Sequence, residues 1–81
     1  MTEKELFEKR LAEMEEDLSK HKAELKTQQE EFIKFTNEKI EMSEFYYEAT
    51  GMLSKMSRSF SLVEAKQSEV NSMKNYIEKL G

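Results

Sequence analysis

The chain holds a single histidine, His21, and no cysteine. A tetrahedral metal site needs three or four nitrogen, sulfur or carboxylate ligands. Asp17 lies one helical turn before His21, so this pair could share a zinc ion only across two copies of the chain. There is no nucleophile with a base at catalytic spacing, no glycine-rich phosphate loop and no two-histidine helical motif. Seventeen Asp and Glu residues are present, but a helix without a water-excluding pocket has no means to shift their pKa values for acid–base work. A solvated charged face accounts for them. The expectation is no catalysis, no cofactor and no bound metal.

Two further residues invite a chemical reading. If two copies pair in parallel, two His21 side chains meet, and stability should fall on acidification below about pH 6 as both become charged. Arg58-Ser59-Phe60-Ser61 places a guanidinium three residues before Ser61, a spacing basophilic kinases accept. A phosphate there would lie beside Glu64 and loosen a neighbouring apolar seam by repulsion.

The dominant pattern is a heptad. With Leu11 at position a, a also falls on Leu18, Leu25, Phe32, Tyr46, Leu53 and Phe60. Position d takes Phe7, Met14, Phe35, Met42, Ala49, Met56, Val63, Val70 and Ile77. An apolar seam recurring every 3.5 residues winds helices left-handedly around a partner. The register predicts one all-α element over residues 1–81: a single long helix in a left-handed coiled coil. Thr2-Glu3-Lys4-Glu5 fits a capping box at its start. Gly81, with Lys79 before it, fits a left-handed stop at its end. Unbroken, such a helix is about 115–120 Å long at 1.5 Å per residue.

The rival architecture is a helical hairpin turning near Gly51. Thr50-Gly51-Met52-Leu53-Ser54 are poor helix formers as a group, and Gly51 costs about 1 kcal/mol relative to Ala. Residues 50–54 are the candidate hinge. Against it, Tyr46 and Ala49 stay in heptad phase with Leu53, Met56, Phe60 and Val63, and Gly51 falls on the outward f position.

The seam carries polar layers at His21, Gln28, Lys39 and Gln67, with Lys4 and Lys74 also at a. Such layers cost stability but penalise wrong registers and wrong partners. Residues 1–42 have a narrow a/d seam flanked by charge. Residues 43–81 have a wider stripe, because Phe45, Met52, Met73 and Leu80 add apolar g positions. A stripe of that width suits a bundle or a second protein partner; g side chains draping over a dimer seam would also explain it. Within Phe45-Tyr46-Tyr47, the register puts Tyr46 inside, Phe45 beside it and Tyr47 in solvent. Ile33, Ile40 and Tyr47 form an outward row at seven-residue spacing, a candidate partner-docking strip against incidental exposure.

Phe32-Ile33-Lys34-Phe35-Thr36-Asn37-Glu38-Lys39 resembles a stretch of ciliary and flagellar coiled-coil proteins. This likeness of heptad composition implies a helix and no particular activity.

Charge is 37% of the chain, net −4 and mixed in sign, with Lys and Arg interleaved among Glu. Nucleic acid and anionic membrane both need a basic stripe, so neither is an expected partner. The Met1-Thr2-Glu3-Lys4-Glu5 start lacks signal-peptide character and no apolar run spans a membrane, which points to a cytoplasmic or nuclear location. Self-association is expected, a homodimer first and a tetramer second. Attractive pairs Arg10–Glu15 and Asp17–Lys22 lean towards parallel chains, though exposed pairs are worth only a few tenths of a kcal/mol. The expected role is a non-catalytic oligomerisation and scaffold or adaptor segment of a longer cytoskeletal, motor-adaptor, kinetochore or trafficking protein. The alternative is an obligate subunit of a heteromeric helical bundle.

Overall fold

A computed structural model describes residues 2–81. Helix α1 spans Glu3–Lys39 and helix α2 spans Phe45–Leu80. The two lie antiparallel: Phe7 near the start of α1 meets Tyr76 near the end of α2, ring centroids 5.0 Å apart. The molecule is 60 Å long and 14 Å by 13 Å across. One 37-residue helix accounts for that length, at about 1.5 Å per residue.

Both helix ends follow the local signals. The Thr2 hydroxyl accepts the Glu5 amide at 3.2 Å, satisfying one of the orphan donors of the first turn. Gly81 takes φ +93° and its amide donates to the Glu78 carbonyl at 3.2 Å, the left-handed stop that glycine makes without penalty.

The middle differs from the sequence expectation in two ways. The helix does not run unbroken from end to end; it is interrupted over residues 40–44. The interruption also lies outside 50–54, since Gly51 sits within α2. The physical reason is burial. A lone helix of this length cannot bury its stripe, and helices of this composition owe their stability to that burial. Folding back at 40–44 gives arms of 37 and 36 residues, whereas a turn at Gly51 would leave several turns of the longer arm unpaired. A polar residue, Lys39, occupies position a just before the break. Phe35 and Phe45 stack across the turn with centroids 5.3 Å apart. Two short-range bonds, Met42 amide to Lys39 carbonyl and Phe45 amide to Met42 carbonyl, both 3.0 Å, carry the chain round.

The core is thin. Leu18, Leu25, Val63 and Val70 form its centre, with Leu11, Met14 and Met56 packed against them. Ala49 is buried nearer the turn, and Val70, 1% exposed, is the most enclosed residue.

Candidate interaction surface

The face that α1 turns to α2 uses the a and d positions of the heptad, within one chain. Buried and half-buried residues recur at Phe7, Leu11, Met14, Leu18, His21, Leu25, Gln28, Phe32 and Phe35. In α2 the buried face is rotated. The d residues Ala49, Met56, Val63, Val70 and Ile77 remain inside, but their partners are the g residues Phe45, Met52, Ser59, Lys66 and Met73. Moving from an a/d to a d/g seam turns the helix by about 50°, half the 100° between successive residues. The turn at 40–44 absorbs that change of phase.

Four residues that the heptad places in a seam between copies lie outside the hairpin's own seam. Tyr46, Leu53 and Phe60 lie outside the hairpin seam at 73%, 49% and 51% exposure, and Met42 is exposed in the turn. The aromatic triplet is likewise reordered: Phe45 is half-buried on Phe35, and Tyr46 faces out with Tyr47. The apolar g positions already marked the alternative face in the sequence. What periodicity could not supply was the choice between the two flanks.

The rotation leaves Tyr46, Leu53 and Phe60 as an exposed line at seven-residue spacing along α2. Beside them a groove of about 320 Å³ is lined by Leu25, Gln29, Leu53, Met56, Ser57 and Phe60. Leu25 and Met56 belong to the core, so the exposed line borders an opening that reaches it. A larger recess of about 530 Å³ at the free ends is lined by Phe7, Ser68, Glu69, Ser72, Met73 and Tyr76.

The proposed outward strip is divided by the turn. Ile33 is exposed on α1, Ile40 caps the end of that helix and Tyr47 is exposed in the first turn of α2. The polar layers take different places. Gln67 is half-buried and donates to the Asn71 side chain at 3.1 Å, while Lys39 is exposed at the end of α1. The buried Oε1 of Gln28 has no hydrogen-bond partner. His21 is half-buried, its Nε2 3.5 Å from Asp17 and its Nδ1 3.7 Å from Glu24. Each hairpin holds its one histidine beside two carboxylates of its own helix. Among the described residues no group of three or more His, Cys, Asp or Glu is placed to hold a metal ion. Ser61, the kinase-type serine, is exposed on α2.

Across the seam Lys66 Nζ donates to Asp17 Oδ2 at 2.5 Å. That hydrogen bond, helped by the charge of the ammonium, holds the Asp17 carboxyl below the usual carboxylate range and raises Lys66. Two weaker polar contacts run the same way, Lys74 to Glu15 at 3.7 Å and the Tyr76 hydroxyl to Glu3 at 3.5 Å. No helix is long and apolar enough to cross a membrane among the described residues. Compared with known proteins, the chain matches no family model, no curated protein and no solved structure.

Proposed function

We propose that this chain is a non-catalytic helical assembly segment, a scaffold or adaptor element whose work is protein–protein association, first with a second copy of itself. The observation that carries this reading is the exposed line Tyr46–Leu53–Phe60 beside a groove open to the core. Large apolar side chains singly exposed are ordinary, but a row at heptad spacing, two of its members bordering one apolar groove, supports a surface for another helix. A second copy fits it because each copy carries the same exposed line, so two can pair face to face across a two-fold axis. The chain therefore supplies both sides of a knobs-into-holes seam.

Light scattering coupled to size exclusion tests the reading. A dimer or tetramer is expected at tens of micromolar, and Leu53→Glu with Phe60→Glu should shift it to monomer while the helical circular-dichroism signal persists. A wild-type chain that stays a folded monomer at every concentration overturns self-association.

A second reading, an obligate subunit of a heteromeric helical bundle, is favoured by the thin core. Only Leu18, Leu25, Ala49, Val63 and Val70 are buried among the described residues, and small domains with so little interior need help from a partner. On that reading the purified chain is helix-poor or aggregated alone, where the first reading expects a monodisperse helical species.

A further inference from the structure

We infer that the second copy is taken up by opening the turn: residues 40–44 become helical, and two extended chains pair antiparallel in a domain-swapped dimer. This deepens the self-association reading and rests on it.

Nothing in the turn resists helix formation. Ile40-Glu41-Met42-Ser43-Glu44 contains neither glycine nor proline, and among the described residues no non-glycine residue has positive φ. Ile40 at φ −58° and ψ −28° is already right-handed helical, and Glu44 at φ −89° and ψ −1° borders that region. Glu44 makes no side-chain cap to α2, and the Phe45 amide bonds the Met42 carbonyl three residues back, where a continuous helix would give it the carbonyl four residues back. Turns that hold a hairpin closed use glycine, proline or a side-chain cap. This one uses none.

Phase supplies the second argument. In a continuous helix, α2 must present the face in register with α1, which is d with a. Opening the turn therefore exchanges flanks: Tyr46, Leu53 and Phe60 enter the seam, and Phe45, Met52 and Met73 move to its edge. The residues the hairpin leaves exposed are those the open form buries. A chain with no use for the open form has no reason to keep heptad phase across a turn.

The direction follows from charge. α1 carries eleven acidic and eight basic residues, α2 four and five. Antiparallel pairing sets each acidic helix against the weakly basic one and re-forms Asp17–Lys66 between chains. Parallel pairing stacks Lys39 on Lys39 and Lys74 on Lys74 at position a. Exchanging an identical element between protomers is a low-cost route to a dimer; here α1 and the d residues of α2 keep their places, and the α2 flank beside them changes from g to a.

The native ion pair is the reporter. Uniformly nitrogen-15-labelled and unlabelled chains are mixed, unfolded, refolded at high concentration and treated with a zero-length carbodiimide, which converts the Asp17–Lys66 contact into an amide. Mass spectrometry of the linked peptides then separates the cases. In the swapped dimer about half of the Asp17–Lys66 links join a light to a heavy peptide, and at low concentration this fraction falls towards zero. Inserting two glycines between Met42 and Ser43 penalises the continuous helix but not the hairpin, and should raise the dimer dissociation constant about tenfold or more. A dimer whose links stay isotopically pure overturns the opening and leaves association of closed hairpins standing. A monomer at all concentrations overturns both.

Discussion

Lys66 of α2 reaches Asp17 of α1 from within the apolar face, donating its ammonium to a carboxylate at the seam's edge. Lysine at this position is a compromise. Its stem lies along the seam, packed as an aliphatic chain, while its charged tip leaves the interior to find a partner. The pair favours this sliding of the two helices: a shift of one heptad one way sets Lys66 against Arg10, while the other way offers it Glu24 in place of Asp17.

The pair makes stability depend on pH at the acid end. Asp17 has a depressed folded-state pKa, so the stabilisation is fully present above its unfolded value of about 3.8 and is lost as pH falls through the lower folded value. Urea titrations between about pH 2 and 5 should show this acid limb shrink in Asp17→Asn. Lys66→Met should also shrink the limb, and at neutral pH it should be neutral or stabilising, because a thioether fills the seam without needing an ion partner. An acid limb identical in all three proteins would show that other carboxylates dominate.

Truncating the core should separate the two apolar faces. Leu18→Ala removes a buried side chain from the central cluster and should cost about 2–4 kcal/mol. Val70→Ala should cost about 1.5–2 kcal/mol at two lost methyl groups. Leu53→Ala, half-exposed in the hairpin, should cost less than about 0.5 kcal/mol in a dilute monomer. Chemical denaturation at low micromolar concentration gives this order, and the reverse order would place Leu53 inside the monomer's core.

How far the sequence was legible depended on which interaction each element answers to. The helical character, both end caps and the a/d face of α1 are local or periodic, and each was readable: Thr2 and Gly81 cap where the signals put them, and Phe7, Leu11, Met14 and Leu18 share one face, here turned to α2 of the same chain. The turn was not. A glycine flanked by Thr and Ser is a local signal, yet Gly51 is helical, while the break falls at Ile40–Glu44, a stretch of ordinary helix composition. What sets the break is the requirement that two arms of equal length bury one another, a property of the whole chain. The same global demand goes with Phe45 rather than Tyr46 as the inward residue, stacked on Phe35 across the turn.

Gln28 offers a specific gain. Its Oε1 is buried with no hydrogen-bond partner, and leaving such an acceptor unsatisfied costs about 1–3 kcal/mol. Gln28→Leu should therefore stabilise the hairpin by about 1 kcal/mol or more, with added association, since a polar layer that penalises alternative pairings is lost. The check is thermal melting followed across a hundredfold range of concentration. A destabilised variant would mean that the amide is satisfied in solution.

His21→Leu acts on the neighbouring layer. The imidazole occupies a half-buried seam position between Leu18 and Leu25, and its polar contacts are long, at 3.5 Å and 3.7 Å to Asp17 and Glu24. Replacing it extends the apolar run and should add about 1 kcal/mol by burial, against a few tenths lost with the exposed contacts. Equilibrium urea unfolding at neutral pH measures the difference. A loss of stability would show the histidine contacts outweighing burial.

Gly51→Ala tests where the chain turns. A glycine in a helix interior costs about 1 kcal/mol relative to alanine, chiefly through the backbone freedom it gives the unfolded chain. Gly51 lies well inside α2, and a Cβ added there meets nothing within 4 Å. The substitution should therefore be free of strain and raise stability by close to the full amount, a rise in Tm of about 4–8 °C for a domain of this size. A turn at Gly51 predicts the opposite sign, because a left-handed or loop glycine gains nothing from a side chain and often loses. Ser43→Ala is the companion measurement. It sits in the observed turn, where better helix propensity favours the open chain over the closed one, so it should raise the dimer fraction. A melting temperature lowered by Gly51→Ala would move the turn back to the glycine and remove the seam rotation that exposes Tyr46, Leu53 and Phe60.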